Sequence, residues 1–538
     1  MFFDSGYNPY ASHRAVVYGR NGCVATSQPL AAEAGLYIMR QGGNAIDAAI
    51  ATAACLTVVE PASNGIGSDT FAIIWTKGAM HGLNSSGAAP ASISIDAVKK
   101  LGHDKMPAFG WLPVTVPGTP GAWAELSRKF GRMPLADVLA PAIGYARKGY
   151  PISPALGYSW NKAYTAYKAN DNVKGEFTDW FKTFAPKGRA PKAGEMWGSE
   201  GHAVTLEKIA ESHAESFYRG NLAREIARAS QESGGFLTFE DLASFKPEWV
   251  APISINYRGY DIWEIPPNGQ GLVALAALSI LRGYEFSARE SVDTAHKQIE
   301  AIKLAFTAGK QVITDPLHTN QSHVNWLLGE EFAQAARTKI REQALMPAPV
   351  DFPKSGTVYL CTADCEGNMV SYIQSNYMGF GSGIVVPGTG IALQNRGHDF
   401  SLDSTHVNRL EGGKRTYHTI IPGFLTKNGS PIGPFGVMGG YMQPQGHMQI
   451  IMNTIDFALN PQMALDAPRF QWIDGKTVEL EHSFPRHIAE SLAKRGHDIR
   501  IANSSGAFGR GQIIWRDNET GVLAGGTESR ADGAVAAY

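Results

Sequence analysis

The segment Pro347-Ala348-Pro349-Val350-Asp351-Phe352-Pro353-Lys354-Ser355-Gly356 places the strongest constraint on how this chain can fold. Each of its prolines fixes φ and removes a backbone donor, so no regular element runs through it, and it reads as exposed, mobile chain that tolerates a cut. The pattern changes to strand immediately afterwards. Thr357-Val358-Tyr359-Leu360-Cys361-Thr362 leads to a turn at Glu366-Gly367-Asn368, and residues 369–375 return as the second arm of a hairpin. Any fold must therefore open a strand on a hydroxyl residue directly behind a breakable connection.

Helical and strand patterns divide the rest. Ser27 is placed to cap a helix with Pro29 in its first turn, running to the Gly42-Gly43 stop. Asn44 caps a second helix, with Ile46, Ala49, Ile50, Ala53 and Ala54 on one apolar side. The turn-forming stretch 60–69 precedes a buried strand over 71–75. From about 120 to 345 the chain reads as a helical layer, including a long pattern over 294–313 that Asp315-Pro316 ends. A second hairpin is predicted from residues 420–426, the turn Lys427-Asn428-Gly429-Ser430, and a strand ending at Gly436-Val437-Met438 before Gly439-Gly440.

With 538 residues, 44% hydrophobic and 18% charged, the chain can bury a large core. The length suggests about three domains, although large mixed sheets also run this long as one unit. Its 48 basic and 49 acidic residues leave a net charge of -1, so no global field recruits nucleic acid or an anionic membrane, and a small molecule is the expected partner. No secretory leader pattern opens the sequence and no uncharged apolar run reaches membrane-spanning length, which sets a cytoplasmic expectation. Cys23, Cys55, Cys361 and Cys365 form no CxxC pair and read as buried free thiols.

GxSxG, HExxH, GxxxxGK[ST] and a clean GxGxxG between strand and helix are not found, so phosphates, dinucleotides and zinc are disfavoured. No metal and no organic cofactor is expected. A Gly-Thr step alone carries little, since an ordinary strand start explains it.

The decisive signal is a resemblance. Gly42-Gly43-Asn44-Ala45-Ile46-Asp47-Ala48-Ala49, Val59-Glu60-Pro61 with Gly65-Ile66-Gly67, Val116-Pro117-Gly118, and Lys303-Leu304-Ala305-Phe306 with Asp315-Pro316 resemble γ-glutamyltransferases. Phe380-Gly381-Ser382-Gly383, Gly388-Thr389-Gly390-Ile391, Asp399-Phe400-Ser401, Lys414-Arg415 and Gly439-Gly440 do so as well, in the family's order. The resemblance implies an α+β fold, the αββα four-layer sandwich of N-terminal-nucleophile hydrolases. It also implies a precursor that cleaves itself between Gly356 and Thr357, giving a large subunit 1–356 and a small subunit 357–538 intertwined in one unit. Carried over by position, Thr357 is the nucleophile, Ser375 stands where the family has a supporting threonine, and Gly439 and Gly440 form the oxyanion loop. A threonine hydroxyl is too weakly acidic to attack unaided, whereas a freed α-amine of reference pKa about 7.7–8.0 is a base poised near neutrality. Glycines suit an oxyanion loop because a Cβ would block close approach.

Against that family the sequence departs at the substrate pocket. Ser86 replaces the arginine that clamps the substrate's α-carboxylate, and a serine cannot supply a bidentate, charge-assisted contact. His418-Thr419 replace two serines, Arg396 replaces a glutamine, and Asp399, which in the family binds the α-amino group, is kept. A cation has moved from one wall to another, which points to an acidic substrate of altered geometry. Ordinary alternatives stay open: Ser375 as a plain strand serine, Gly439-Gly440 as a simple turn, Arg396 as a surface ion-pair partner. The combination resembles the transferase-like branch that holds glutathione-hydrolase-like proteins, cephalosporin-acylase relatives and oxamate amidohydrolase. The expected function is hydrolysis of an amide of a small acid (oxamate-like, γ-glutamyl or glutaryl). A genuine glutathione hydrolase or transpeptidase and an unprocessed scaffold are the alternatives, and a homo-oligomer stays open.

Overall fold

The computed structural model describes residues 14–170, 175–348, 352–353 and 356–538. Two seven-stranded sheets dominate. One is ordered β1 (Val17–Gly19), β18 (Leu523–Thr527), β17 (Arg510–Arg516), β13 (Ser430–Met438), β12 (Gly423–Lys427), β9 (Tyr260–Glu264) and β8 (Ile253–Tyr257). The other is ordered β19 (Ala534–Ala537), β2 (Gly22–Thr26), β10 (Gly356–Asp364), β11 (Met369–Tyr377), β3 (Asp69–Thr76), β4 (Ala79–Ser85) and β7 (Glu248–Val250). The paired strands of both are antiparallel. Smaller sheets join β14 (Phe470–Asp474), β15 (Thr477–Leu480) and β16 (Asp498–Ile501), and β5 (Tyr150–Pro151) with β6 (Met196–Trp197).

The two large sheets meet face to face. A Cβ on Gly436 of β13 would lie 2.4 Å from the Tyr359 ring of β10, so only glycine admits that ring between the sheets. Helices α1 (Pro29–Arg40) and α2 (Ala45–Val59) cover the outer face of the β10-containing sheet. The helices Gly271–Leu281 and Met442–Ile455 cover the other sheet. The result is the expected αββα sandwich. Every residue of α2 is buried, because its alanine-rich surface lets α1, the helix Leu135–Lys148 and the sheet approach from different sides. Among the described residues no helix is long and apolar enough to cross a membrane.

Several expectations need correction. The Gln28 side chain, not Ser27, caps α1, accepting from the Leu30 and Ala31 N–H groups, because the Ser27 hydroxyl donates to Glu60. The supposed helical layer contributes strands β7, β8 and β9 to the two main sheets. Cys365 is exposed, unlike the other three thiols. Of the connection read as mobile, residues 349–351 and 354–355 lie outside the described residues, while Gly356 already belongs to β10.

Candidate active site

The β10–β11 ladder pairs Val358 with Gln374 and Gly356 with Tyr377, and its register shifts between Gly356 and Val358. That irregularity leaves Thr357 out of register, with its side chain on Ser375. Thr357 Oγ1 lies 3.0 Å from Ser375 Oγ, which donates to the Gly356 carbonyl at 2.7 Å and accepts from the Tyr377 N–H at 2.8 Å. Ser375 has one hydroxyl proton, and with it committed to Gly356 the Thr357 hydroxyl is the donor in their contact. Both side chains are fully buried. A proton path therefore runs from Thr357 through Ser375 to the carbonyl oxygen of the Gly356–Thr357 bond.

Asp69 opens β3 directly opposite Ser375, so the two side chains share a face. His418 Nε2 sits 3.1 Å from Asp69 Oδ2, and the Ile420 N–H is directed at Nδ1 at 3.4 Å, which places the ring proton on Nε2. Burial pushes Asp69 up to about 7, with the Arg396 charge opposing. Burial, reinforced by the same charge, holds His418 well below its ordinary value, so the ring is neutral. Ser86 follows β4; its hydroxyl donates to Asn84 Oδ1 at 2.7 Å and receives the Asn268 amide at 3.2 Å.

Arg396 is only 1% exposed, which overturns the surface ion-pair alternative: the short 3-10 turn Arg396–Asp399 carries the side chain inward. Its Nη1 donates to Thr419 Oγ1 at 2.8 Å, and its guanidinium carbon lies 4.1 Å from the centre of the Tyr377 ring. Asp399 Oδ2 is 3.6 Å from Nη1, too long for a hydrogen bond. Asp399 Oδ1 instead accepts from Tyr377 at 2.8 Å and Tyr441 at 2.9 Å. Arg396 Nε and Nη2, together one complete bidentate edge, have no hydrogen-bond partner among the described residues, and Asp399 Oδ2 has only its 3.6 Å ion pair with Nη1.

Gly439 and Gly440 leave β13 at φ 133° and 59°, conformations that other residues resist. Neither N–H has an acceptor among the described residues. Gln270 fixes this loop: its amide donates to Gly440 O at 2.9 Å and to Thr419 O at 2.6 Å, while its carbonyl accepts from Tyr417 at 2.9 Å. Sequence reasoning missed Asp69, Gln270, Tyr377 and Tyr441. For Gln270 the turn Pro266-Pro267-Asn268-Gly269-Gln270-Gly271 was the available signal.

A cavity of about 430 Å³ opens on Asp399, walled by Lys310, Pro353, His398, Tyr417 and Tyr441. Lys310 donates to the Tyr441 hydroxyl at 2.6 Å, and Phe352 stacks on the Tyr441 ring. Away from this region, His296, Glu300 and His497 bring ligand-type atoms within 4.8 Å of one another. The Lys303 ammonium, 2.8 Å from Glu300, already neutralises that carboxylate, and the two imidazoles hydrogen-bond each other at 2.9 Å. The cluster works as a clamp: Glu300 accepts the Leu345 N–H and Lys303 donates to Leu345 O.

The chain as a whole is similar to known proteins. The "Glutathione hydrolase-like YwrD proenzyme" of Bacillus subtilis is 36% identical over 96% of this chain and 99% of the relative. The "Oxamate amidohydrolase proenzyme" of Klebsiella pneumoniae is 34% identical over 96% and 98%. The crystal structure of cephalosporin acylase from Bacillus halodurans is 63% identical and matches with a TM-score of 0.96 over 100% of this chain and 99% of that one. Residues 31–538 match the gamma-glutamyltranspeptidase family, and the chain belongs to it.

Proposed function

We propose that the chain is a self-processing amidohydrolase that cleaves its own Gly356–Thr357 bond and then uses Thr357 to hydrolyse an amide of a small acid. The observation that carries this reading is the contact chain from the Thr357 hydroxyl through Ser375 to the Gly356 carbonyl oxygen. Thr357 Oγ1 attacks the Gly356 carbonyl carbon, and its proton passes to Ser375 as Ser375 protonates the developing oxyanion. As the carbonyl reforms, the proton on that oxygen passes to the nitrogen, the C–N bond breaks, and an ester of Gly356 on Thr357 is left beside a free α-amine. Water hydrolyses the ester, freeing the Gly356 carboxylate and the Thr357 hydroxyl.

In the processed form the α-amine, with a reference pKa of about 7.7–8.0, takes the hydroxyl proton as Thr357 attacks substrate. The Gly439 and Gly440 N–H groups receive the tetrahedral oxygen; collapse breaks the substrate C–N bond as the α-ammonium returns its proton to the leaving nitrogen, and water then hydrolyses the acyl ester. Arg396 offers its open edge to a substrate carboxylate, while Ser86 leaves the transferases' clamp unfilled. The relatives named for oxamate hydrolysis and acylase activity support a hydrolase of this kind.

Purified protein should resolve into fragments 1–356 and 357–538, with Thr357 at the new N-terminus, and Thr357→Ala should remain one chain. A Thr357→Ala variant that still splits at this bond refutes the assignment. Oxamate, N-glutaryl and γ-glutamyl amides, assayed with and without an acceptor dipeptide, then separate hydrolysis from transfer.

A further inference from the structure

Tyr377 is a fully buried, non-glycine residue with left-handed backbone, φ 75°, at the end of a strand inside the sheet rather than in a hairpin turn like Lys77 or Asn428. Such a conformation persists where the surroundings over-determine it, and it concentrates at functional sites. Here three contacts do so. The Tyr377 N–H donates to Ser375 Oγ, its ring lies beneath the Arg396 guanidinium, and its hydroxyl donates to Asp399 Oδ1. One residue thus touches the partner of the nucleophile, the cation of the pocket and the anion beside that cation.

We infer that Tyr377 is a positioning residue that seats the Arg396 guanidinium on its ring and keeps Asp399 from pairing fully with it, so that the attacking Thr357 prefers amides carrying a carboxylate over neutral ones. The inference rests on the reading of Arg396 as the carboxylate binder. A guanidinium stacked on a ring keeps its in-plane donors free, and here Nη1 is anchored on Thr419 while the buried Nε–Nη2 edge has no hydrogen-bond partner among the described residues. The Tyr377 and Tyr441 hydroxyls hold Asp399 by Oδ1 and keep Oδ2 at 3.6 Å from Arg396, so the carboxylate does not close on the edge itself. Burial keeps both phenols protonated and hence donors.

The test compares Tyr377→Phe, Tyr377→Leu and Arg396→Ala in the processed enzyme. The substrates are oxamate against oxamide and glutaryl p-nitroanilide against pentanoyl p-nitroanilide. Tyr377→Phe frees Asp399 to swing onto the guanidinium, so KM for the acidic amides should rise about tenfold, as for a lost hydrogen bond to a charged group, with kcat little changed. Tyr377→Leu removes the platform, and the acidic-to-neutral ratio of kcat/KM should fall as far as in Arg396→Ala. In an Arg396→Ala background Tyr377→Phe should add nothing. The inference is overturned if Arg396→Ala changes the ratio while both Tyr377 variants leave it within twofold. It is also overturned if they depress acidic and neutral amides alike, the mark of a merely structural role. If Arg396→Ala itself leaves the ratio unchanged, the Arg396 reading falls and takes this inference with it. Intact self-cleavage on a gel verifies that each variant folds.

Discussion

Replacing Ser375 with alanine removes the hydroxyl that bridges Thr357 and the Gly356 carbonyl. Two catalytic losses follow: Thr357 Oγ1 loses its acceptor at 3.0 Å, and the scissile carbonyl loses its donor at 2.7 Å. Removing one donor aimed at a developing oxyanion costs about 2.7–4 kcal/mol, so self-cleavage should slow by about 100- to 1,000-fold. A structural loss accompanies them, because the buried Tyr377 N–H is left without its partner, at a cost of about 1–3 kcal/mol of stability. The assay is the time course of intact chain converting to two fragments, followed by gel and intact mass, with urea denaturation run in parallel. Ser375→Thr, which keeps the hydroxyl, should cleave at a rate near the parent's. Cleavage of Ser375→Ala within tenfold of the parent would show that Thr357 needs no relay, and refute a proton path through Ser375.

Three further outcomes are expected. Arg396→Ala should lower kcat/KM for acidic amides by about one to two decades, from the loss of a charge-assisted contact of about 1.5–3 kcal/mol, without impairing self-cleavage. An unchanged preference in steady-state assays would make Arg396 structural. The Asp69–His418 pair has opposing linkages. Asp69, raised from 3.8 to about 7, makes stability fall as pH rises across that interval, whereas His418, held neutral below its ordinary 6.5, makes it rise as pH climbs towards 6.5. The two oppose each other below about pH 6.5, so Asp69→Asn should steepen the loss of stability on acidification, read from urea melts at several pH values. Lys303→Met should destabilise by about 3–5 kcal/mol by stranding Glu300, both side chains being fully buried. Adding Glu300→Gln should recover part of that loss in the same denaturation assay.

The parts of the fold legible in the sequence were those specified by neighbours along the chain. The 357–375 hairpin carries its own alternation and turn, and Asn44 forms a capping box with Asp47 three residues on. Ser27 misled because a serine there satisfies the local rule, while its hydroxyl is taken by Glu60, remote in sequence. Strand β7 was absorbed into a helical stretch because pairing with the remote β4 decides it, whereas β8 and β9 form a hairpin on the Arg258-Gly259 turn that the helical reading passed over. Thr357 and Ser375 fall in one hairpin and could be read together. Asp69, Gln270 and Tyr441 take their meaning from contacts 349, 170 and 42 residues away along the chain.

The state of Arg396 illustrates what a sequence cannot carry. A guanidinium beside a carboxylate would ordinarily close into a bidentate pair, yet here the phenols of Tyr377 and Tyr441 hold Asp399 by its other oxygen and leave both charges incompletely satisfied. Leaving charged groups underpaired in the interior costs stability. A fold retains such an arrangement where something else completes it, and a substrate carboxylate on the Nε–Nη2 edge would do so. Substitution of Tyr377 or Tyr441 should then shift Arg396 from binding an external acid to binding Asp399, trading substrate affinity for stability of the empty site.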